Sequence, residues 1–256
     1  MSKKLRIIIL VVAFVVFCVS AYNLALSYYQ EYTANSGLDS IRQEVIIEAP
    51  APDKTAPDET APDEADAFST LSINFDLLFK INPDIVAWLY IPGTPVSYPL
   101  LHGTDNRFYL TRTFDKKYNE LGSIFLAYRN SPHFESLNTV IYGHNTRNDS
   151  MFGSLKRFKD QAYADQKRYV HIIRSGEVRV YEIFSIYETA ATSDTYTIHF
   201  ASEEAFAEYV KKMASRTIVH SGSPLDTESM ITLSTCTPHD RAARLVIQAK
   251  LVDFQF

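Results

Sequence analysis

The chain has 256 residues, 46% hydrophobic and 21% charged with only 8 glycines, which excludes a wholly disordered chain, a collagen and a polytopic membrane protein. Its 25 basic and 30 acidic residues leave a net charge of −5, and a nucleic-acid binder would need a basic excess to neutralise phosphates. Two cysteines, Cys18 and Cys236, are too few for a disulfide-stapled scaffold or a four-thiolate metal site.

Residues 1–6 form a basic tail with Lys3, Lys4 and Arg6, and no charge follows from Ile7 to Gln30. The apolar stretch 7–26, as a helix, rises about 30 Å, the thickness of a bilayer's hydrocarbon core. Basic residues stay on the cytoplasmic side, so this pattern predicts a single-pass anchor in the cell membrane with the rest of the chain outside. Tyr22, Tyr28 and Tyr29 fall at an interfacial belt. The rival is a cleaved signal peptide, with Val19-Ser20-Ala21 as its small-residue site. Either way the chain is exported.

Residues 27–67 read as a Pro/Asp/Glu-rich extracellular spacer. Ala51-Pro-Asp-Lys-Thr55, Ala56-Pro-Asp-Glu-Thr60 and Ala61-Pro-Asp-Glu-Ala65 are near-copies of one five-residue unit. Proline at every fifth position blocks a continuous helix, and the acidic side chains repel one another. Leu38–Ile47 reads as a short helix ahead of the repeats.

The globular domain is expected over 68–256. Ser72–Lys80 reads as a short amphipathic helix. Strand-like runs follow at Ile85–Ile91, Val96–Leu101, Ser123–Tyr128, Thr139–Gly143, Arg168–Arg174, Glu177–Thr189, Met230–Thr235 and Ala243–Phe254. They are rich in β-branched and aromatic residues, which suit a pleated surface. Ser202–Arg216 reads as a helix with Ser202 as N-cap, Glu203 and Glu204 in its first turn, and Lys211 and Lys212 near its end. Eight short strands with little helix indicate a mostly β domain, a barrel or sandwich.

An exported domain that keeps one unpaired thiol keeps a group prone to oxidation, so Cys236, at a strand end before Pro238, is the candidate nucleophile. A buried structural cysteine is the bland alternative. A thiol nucleophile needs a proton acceptor and a group to hold the oxyanion. Among the seven histidines, His171 lies within a strand and His133 and His220 in polar loops. His239 is near in sequence, and His144 leaves a strand through Gly143, read as permitting a tight turn. Residue chemistry leaves His144 and His239 open as the base. For the oxyanion, Arg244 opens the last strand, while Arg241 reads as a solvated charge.

Thr232-Leu-Ser-Thr-Cys236, Arg244-Leu-Val-Ile and Ile141-Tyr-Gly-His-Asn145 together resemble the sortases of class B. So do Ile81-Asn-Pro-Asp84 leading to Trp88-Leu-Tyr-Ile-Pro-Gly93, Tyr98-Pro-Leu-Leu101, Asp105-Asn106, Tyr109-Leu110 and Ser150-Met-Phe152, in that order along the whole globular part. The resemblance implies an eight-stranded sortase β-barrel with N-terminal helices and a long helix before the cysteine strand. It implies a cysteine transpeptidase that cleaves an Asn-Pro-x-Thr-Gly/Asn-like C-terminal sorting signal after Thr, through a thioester. The partners implied are exported proteins bearing that signal, with a peptidoglycan-precursor or pilin amine as acceptor, and neither metal nor organic cofactor is implied. By motif position Cys236, His144 and Arg244 are catalytic, and Asn106, Leu110, Tyr142 and Ser234 line the substrate groove, with Tyr196 beside them. Where an acidic residue is invoked two positions after the cysteine, this chain has Pro238, and Asp240 is the nearest carboxylate. A membrane-anchored cysteine peptidase and a catalytically silent adhesin are the other functions considered.

Overall fold

The computed structural model describes residues 2–48, 71–219, 227–236 and 243–255. Helix α1 (Lys3–Val45) leads to β1 (Ile46–Glu48), β2 (Leu71–Ile73), α2 (Phe75–Ile81), β3 (Ile85–Tyr90) and β4 (Ser97–His102). There follow β5 (Ile124–Leu126), β6 (Asn138–Gly143), α3 (Gln161–Gln166), β7 (Tyr169–Arg174), β8 (Glu177–Ala190), α4 (Glu203–Ala214), β9 (Met230–Cys236) and β10 (Ala243–Gln255). Eight strands close a barrel in the order β10-β8-β7-β3-β4-β5-β6-β9. Seven of the eight expected runs changed by no more than one residue at either end, Ser123–Tyr128 shortened to Ile124–Leu126, and the barrel, not the sandwich, is the outcome.

The ladders are antiparallel except β4 with β5 and β6 with β9, which are parallel. The long β8 and β10 pair along almost their whole length, with register shifts at Gln248/Ala249 and Leu251/Asp253 that bend them toward closure. Alternation sets the two faces of the wall. Ile141, Ile231, Leu233, Leu245 and Ile247 join the main core. Met230 and Val246 belong to the opposite set and pack under Phe206, Tyr209, Val210 and Met213 of α4. Ser202 caps α4 by accepting a hydrogen bond from the Ala205 amide at 3.3 Å.

The N-terminal part differs from expectation. Residues 27–48 are no spacer: α1 continues unbroken through them, absorbing most of the short helix expected at Leu38–Ile47, before Ile46 starts β1. Ala34, Leu38, Ile41 and Val45, spaced as one helical stripe, are buried against the barrel. Gln30's carbonyl accepts from Asn119 Nδ2 at 2.8 Å, and Arg42 Nε donates to the Ser97 carbonyl at 2.9 Å. The Arg42 guanidinium also lies over the Tyr98 ring, 4.7 Å from its centroid. β1 and β2 then pair antiparallel, Glu48 opposite Leu71, so the chain leaves and returns at one place. The described part of α1 thus packs directly on the domain, and the repeats at 51–65 lie outside the described residues. The helix expected at Ser72–Lys80 begins later, at Phe75, because Asn74 caps it and Leu71–Ile73 is strand.

His171 sits inside β7, 2% exposed, with the Tyr90 ring edge-on at 5.6 Å. Burial pushes its imidazole down from 6.5 to about 3. As pH falls below the unfolded value, only the unfolded chain takes up this proton, so stability is lost from pH 6.5 toward about 3. At pH 5 the loss is about 2 kcal/mol. Thermal melts between pH 7 and pH 5 are expected to fall for the parent chain and to flatten in His171→Phe.

Candidate active site

Three adjacent strands end together at one rim of the barrel. In the parallel β6·β9 ladder the last partners are Tyr142 with Ser234 and Gly143 with Thr235, so His144, just past β6, and Cys236, the last residue of β9, come next on the two sides. In the antiparallel β9·β10 ladder Cys236 is directly opposite Arg244. Positions 144, 236 and 244 thus form one row across three strand ends, and directly opposed positions share a face of the sheet. That face is the one α4 covers farther along, at Met230 and Val246. His239, Arg241, Asp240 and His220 lie outside the described residues.

The His144 ring is half-buried, and its Nε2 donates to the Leu110 carbonyl at 2.8 Å. A carbonyl only accepts, so Nε2 carries the proton and Nδ1 is left to exchange one. The Gly143 before it serves a different purpose from the expected turn. A Cβ there would sit 2.7 Å from the Phe152 ring, so this glycine makes room for a buried aromatic directly behind the histidine. The Phe152 amide in turn donates to the His144 carbonyl at 3.0 Å, fixing the histidine's backbone.

Leu110 belongs to a short 3-10 turn, Phe108–Leu110, capped by Asp105, whose Oδ1 accepts from the Arg107 and Phe108 amides at 2.7 and 2.8 Å. These amides hold the Asp105 carboxyl below its ordinary range. Between them Tyr109 is fully buried. Its hydroxyl donates to Asp84 Oδ2 and accepts from Asn82 Nδ2 at 3.0 Å, while Lys116 pairs with the same carboxylate at 2.9 Å. Burial acts to raise the Asp84 carboxyl, but the Lys116 ammonium and Tyr109 hydroxyl outweigh it and hold it below the ordinary value. Burial also drives the Tyr109 phenol up, so it stays a donor. The Tyr109 carbonyl accepts from the Ser123 amide at 2.9 Å. The turn that presents Leu110 is therefore bolted to the start of β3.

On the other side of the row, Tyr196 Oη and Ser234 Oγ share a hydrogen bond of 2.9 Å, and the Tyr196 and Tyr142 ring centroids are 6.1 Å apart. Tyr142 also packs on Phe125 at 5.6 Å. The segment carrying Tyr196 is held by buried polar groups. Asn138 Nδ2 donates to the Thr197 carbonyl at 2.9 Å, Tyr209 Oη donates to the Thr195 carbonyl at 2.6 Å, and Thr232 Oγ1 donates to Asn138 Oδ1 at 2.7 Å. Tyr142, Ser234 and Tyr196 thus come together as one wall. Leu110 reaches the site through its carbonyl. Asn106 stands apart from that wall: its Oδ1 accepts from the Tyr128 amide at 2.9 Å, tying the 3-10 turn to the segment after β5. Arg244 is half-buried, and its Nη1 donates to the Ala243 carbonyl at 2.9 Å. Among the described residues, no group of three or more His, Cys, Asp or Glu could hold a metal ion.

The Asn82–Asp84–Tyr109 bolt and the Asn138–Thr232–Tyr209 network are absent from the sequence reading. Polar residues at Thr232 and Gln248, interrupting apolar strands, were the visible signal for the second. Asn82, Asp84 and Tyr109 each stand in the motif segments quoted above, but nothing local shows that they meet, because they do so only in three dimensions.

Comparison with known proteins now bears on this arrangement. Residues 89–252 match the family model described as the sortase domain. A sortase B of Listeria monocytogenes is 38% identical over 183 residues, spanning 68% of this chain and 72% of that one. The crystal structure of Clostridium perfringens sortase B aligns with a TM-score of 0.66 at 34% identity, over 70% of this chain and 100% of that one. Bacillus anthracis sortase B, in complex with AAEK1, aligns with a TM-score of 0.71 at 26% identity, over 88% of this chain and 99% of that one. The barrel with its parallel β6·β9 junction, and a sequence match running from β3 into β10, make this chain a member of the sortase family of cysteine transpeptidases, of class B.

Proposed function

We propose that Cys236 is the nucleophile, His144 the acid–base and Arg244 the oxyanion partner in transfer of a C-terminal sorting signal to an amine. The observation that carries this reading is the row 144–236–244 at three adjoining strand ends. Cysteine count supports it: of the two cysteines only Cys236 falls within the matched residues 89–252. The thiolate sulfur adds to the carbonyl carbon of the bond after Thr, and Arg244 holds the oxygen that takes the charge. His144 gives its Nδ1 proton to the departing amine, leaving a thioester. An incoming amine then displaces the sulfur, His144 takes back a proton, and a new amide forms. The Tyr142–Tyr196–Ser234 wall and Leu110 are assigned to the groove for the signal, with Asn106 at its edge.

The substrate is an exported protein with an Asn-Pro-x-Thr-Gly/Asn-like signal, and the acceptor a peptidoglycan-precursor or pilin amine. The apolar part of α1 has a mean hydropathy of 2.7 over its best 18-residue window, none of it buried, and three basic residues precede it. These features support an anchor that spans the membrane once, with the N-terminus cytoplasmic and the barrel outside.

Transfer and hydrolysis are separated by an internally quenched sorting peptide assayed with and without an added amine. The amine adduct is expected as the principal product when amine is present. Cleavage to free acid unaffected by amine identifies a peptidase instead, and no cleavage across a small set of such peptides varied within the signal identifies an adhesin.

A further inference from the structure

The anchor and the catalytic domain share one rigid element. Helix α1 has no break between its apolar part and the stripe Ala34–Val45 buried on the barrel. Where it first meets the domain it touches two particular loops. The Gln30 carbonyl takes the Asn119 amide, and Glu31 takes Asn148 Nδ2. Asn148 is four residues beyond His144, a span of at most about 15 Å. Asn119 closes the small hairpin whose Gly122 lies against the Leu110 carbonyl that holds His144. Both loops nearest the apolar end of α1 are therefore those that flank the active site. At the other end of the helix, about 21 Å farther along at Val45, the chain enters β1. There Ile47 borders a cavity shared with Arg174, Ser175 and Gly176 of the β7–β8 turn.

The length fits the bilayer. Gln30 lies about 6 Å beyond Leu26, the last residue of the apolar stretch, which is roughly the depth of a headgroup layer. At this level the domain exposes aromatic rings. Tyr118, next to Asn119, is 60% exposed and Phe108 is 42% exposed. The Arg112 guanidinium stands 5.0 Å from the Tyr118 centroid and 5.7 Å from that of Phe108. Rings with a cation between them suit the boundary between acyl chains and phosphates, where an apolar body and a charged tip are both satisfied. Tyr28, Tyr29 and Tyr32 of α1 are exposed at the same level.

We propose that the rim bearing His144 faces the bilayer that α1 leaves, with Phe108, Arg112 and Tyr118 seated in its headgroup layer and the β7–β8 turn on the far side. The proposal rests on the anchor reading. Its partner is the lipid surface itself, and the row 144–236–244 is held close to it. A substrate or acceptor attached to that same membrane then reaches the site on a short tether.

The test uses the full chain, carrying Cys18→Ala and Cys236→Ala, with one fluorophore at Tyr118→Cys, Lys117→Cys or Ser175→Cys. Each protein is reconstituted into phosphatidylcholine–phosphatidylglycerol vesicles whose headgroups carry a spin-label quencher. Loss of fluorescence is expected at 118 and 117 and not at 175, and the paired 117 and 118 sites guard against one label disturbing the fold. Equal quenching at all positions, or stronger quenching at 175, in protein that floats with the vesicles overturns the orientation and leaves the anchor standing. Protein that fails to float with vesicles overturns the anchor reading, and the orientation with it.

Discussion

Cys236→Ala is expected to reduce peptide cleavage and transfer by on the order of 10⁴- to 10⁶-fold, with no loss of fold. No other thiol could take over the role proposed for Cys236, because Cys18 is in the apolar part of α1. The cysteine position closes β9 at the rim, where the ladder to Arg244 needs only backbone groups that alanine also supplies. Unchanged melting with lost turnover is therefore the expected pair of results, read by thermal denaturation and by mass spectrometry of the acyl adduct. Turnover within tenfold of the parent would remove Cys236 from the mechanism. Arg244→Ala is expected to fall less far, on the order of 10²- to 10³-fold, as for loss of one oxyanion donor. His144→Ala should resemble the cysteine variant, since both proton transfers proposed above use that ring.

The second large effect is expected from a residue with no side chain. Gly122 has φ +58, and a Cβ there would lie 2.5 Å from the carbonyl oxygens of both Leu110 and Tyr109. The Leu110 oxygen is the acceptor for His144 Nε2, and the Tyr109 oxygen is the acceptor for Ser123. Gly122→Ala must move one or both, and backbone offers no flexible end that could give way. Displacing a catalytic ring by about 1 Å costs on the order of 10²-fold in rate. Gly176 supplies the control: it too has positive φ, +74, but nothing lies within 4 Å of its Cβ position. Gly176→Ala reports left-handed strain alone, about 1–2 kcal/mol of stability with kcat unchanged. Gly122→Ala should lower kcat at temperatures well below its melting range, because the carbonyl that holds the His144 ring is displaced. A loss of stability matching Gly176→Ala with full kcat would show that Leu110 does not position His144.

The strands were legible because each carries its own signal. Runs such as Val178–Tyr187 and Leu245–Val252 hold enough β-branched and aromatic residues to be read without neighbours. The N-terminus was misread for the opposite reason. Between Gln30 and Arg42 the polar residues outnumber the apolar ones, so the stripe Ala34–Leu38–Ile41–Val45 is thin and declares itself only against Tyr98 and Phe114. β1 and β2 have three residues each, and their pairing spans a long stretch of sequence, which no local pattern encodes.

The site shows the same division. Cys236, His144 and Arg244 could each be placed at a strand end from the sequence. That β6 and β9 run parallel side by side, which puts 144 next to 236, is a matter of topology. Leu110 was expected to line the groove, and what the structure shows of it is a backbone oxygen that accepts from His144, which any residue type could offer. Gly143 was read as a turn former and is instead a space left for Phe152.

The β1–β2 pairing has an evolutionary consequence. Because both ends of residues 49–70 are clamped together, the number of Ala-Pro-Asp units between them is uncoupled from the geometry of catalysis. Repeat tracts gain and lose copies readily during replication, and here such changes fall where the working parts do not register them. The tract can drift in length while α1 keeps its contacts with the barrel.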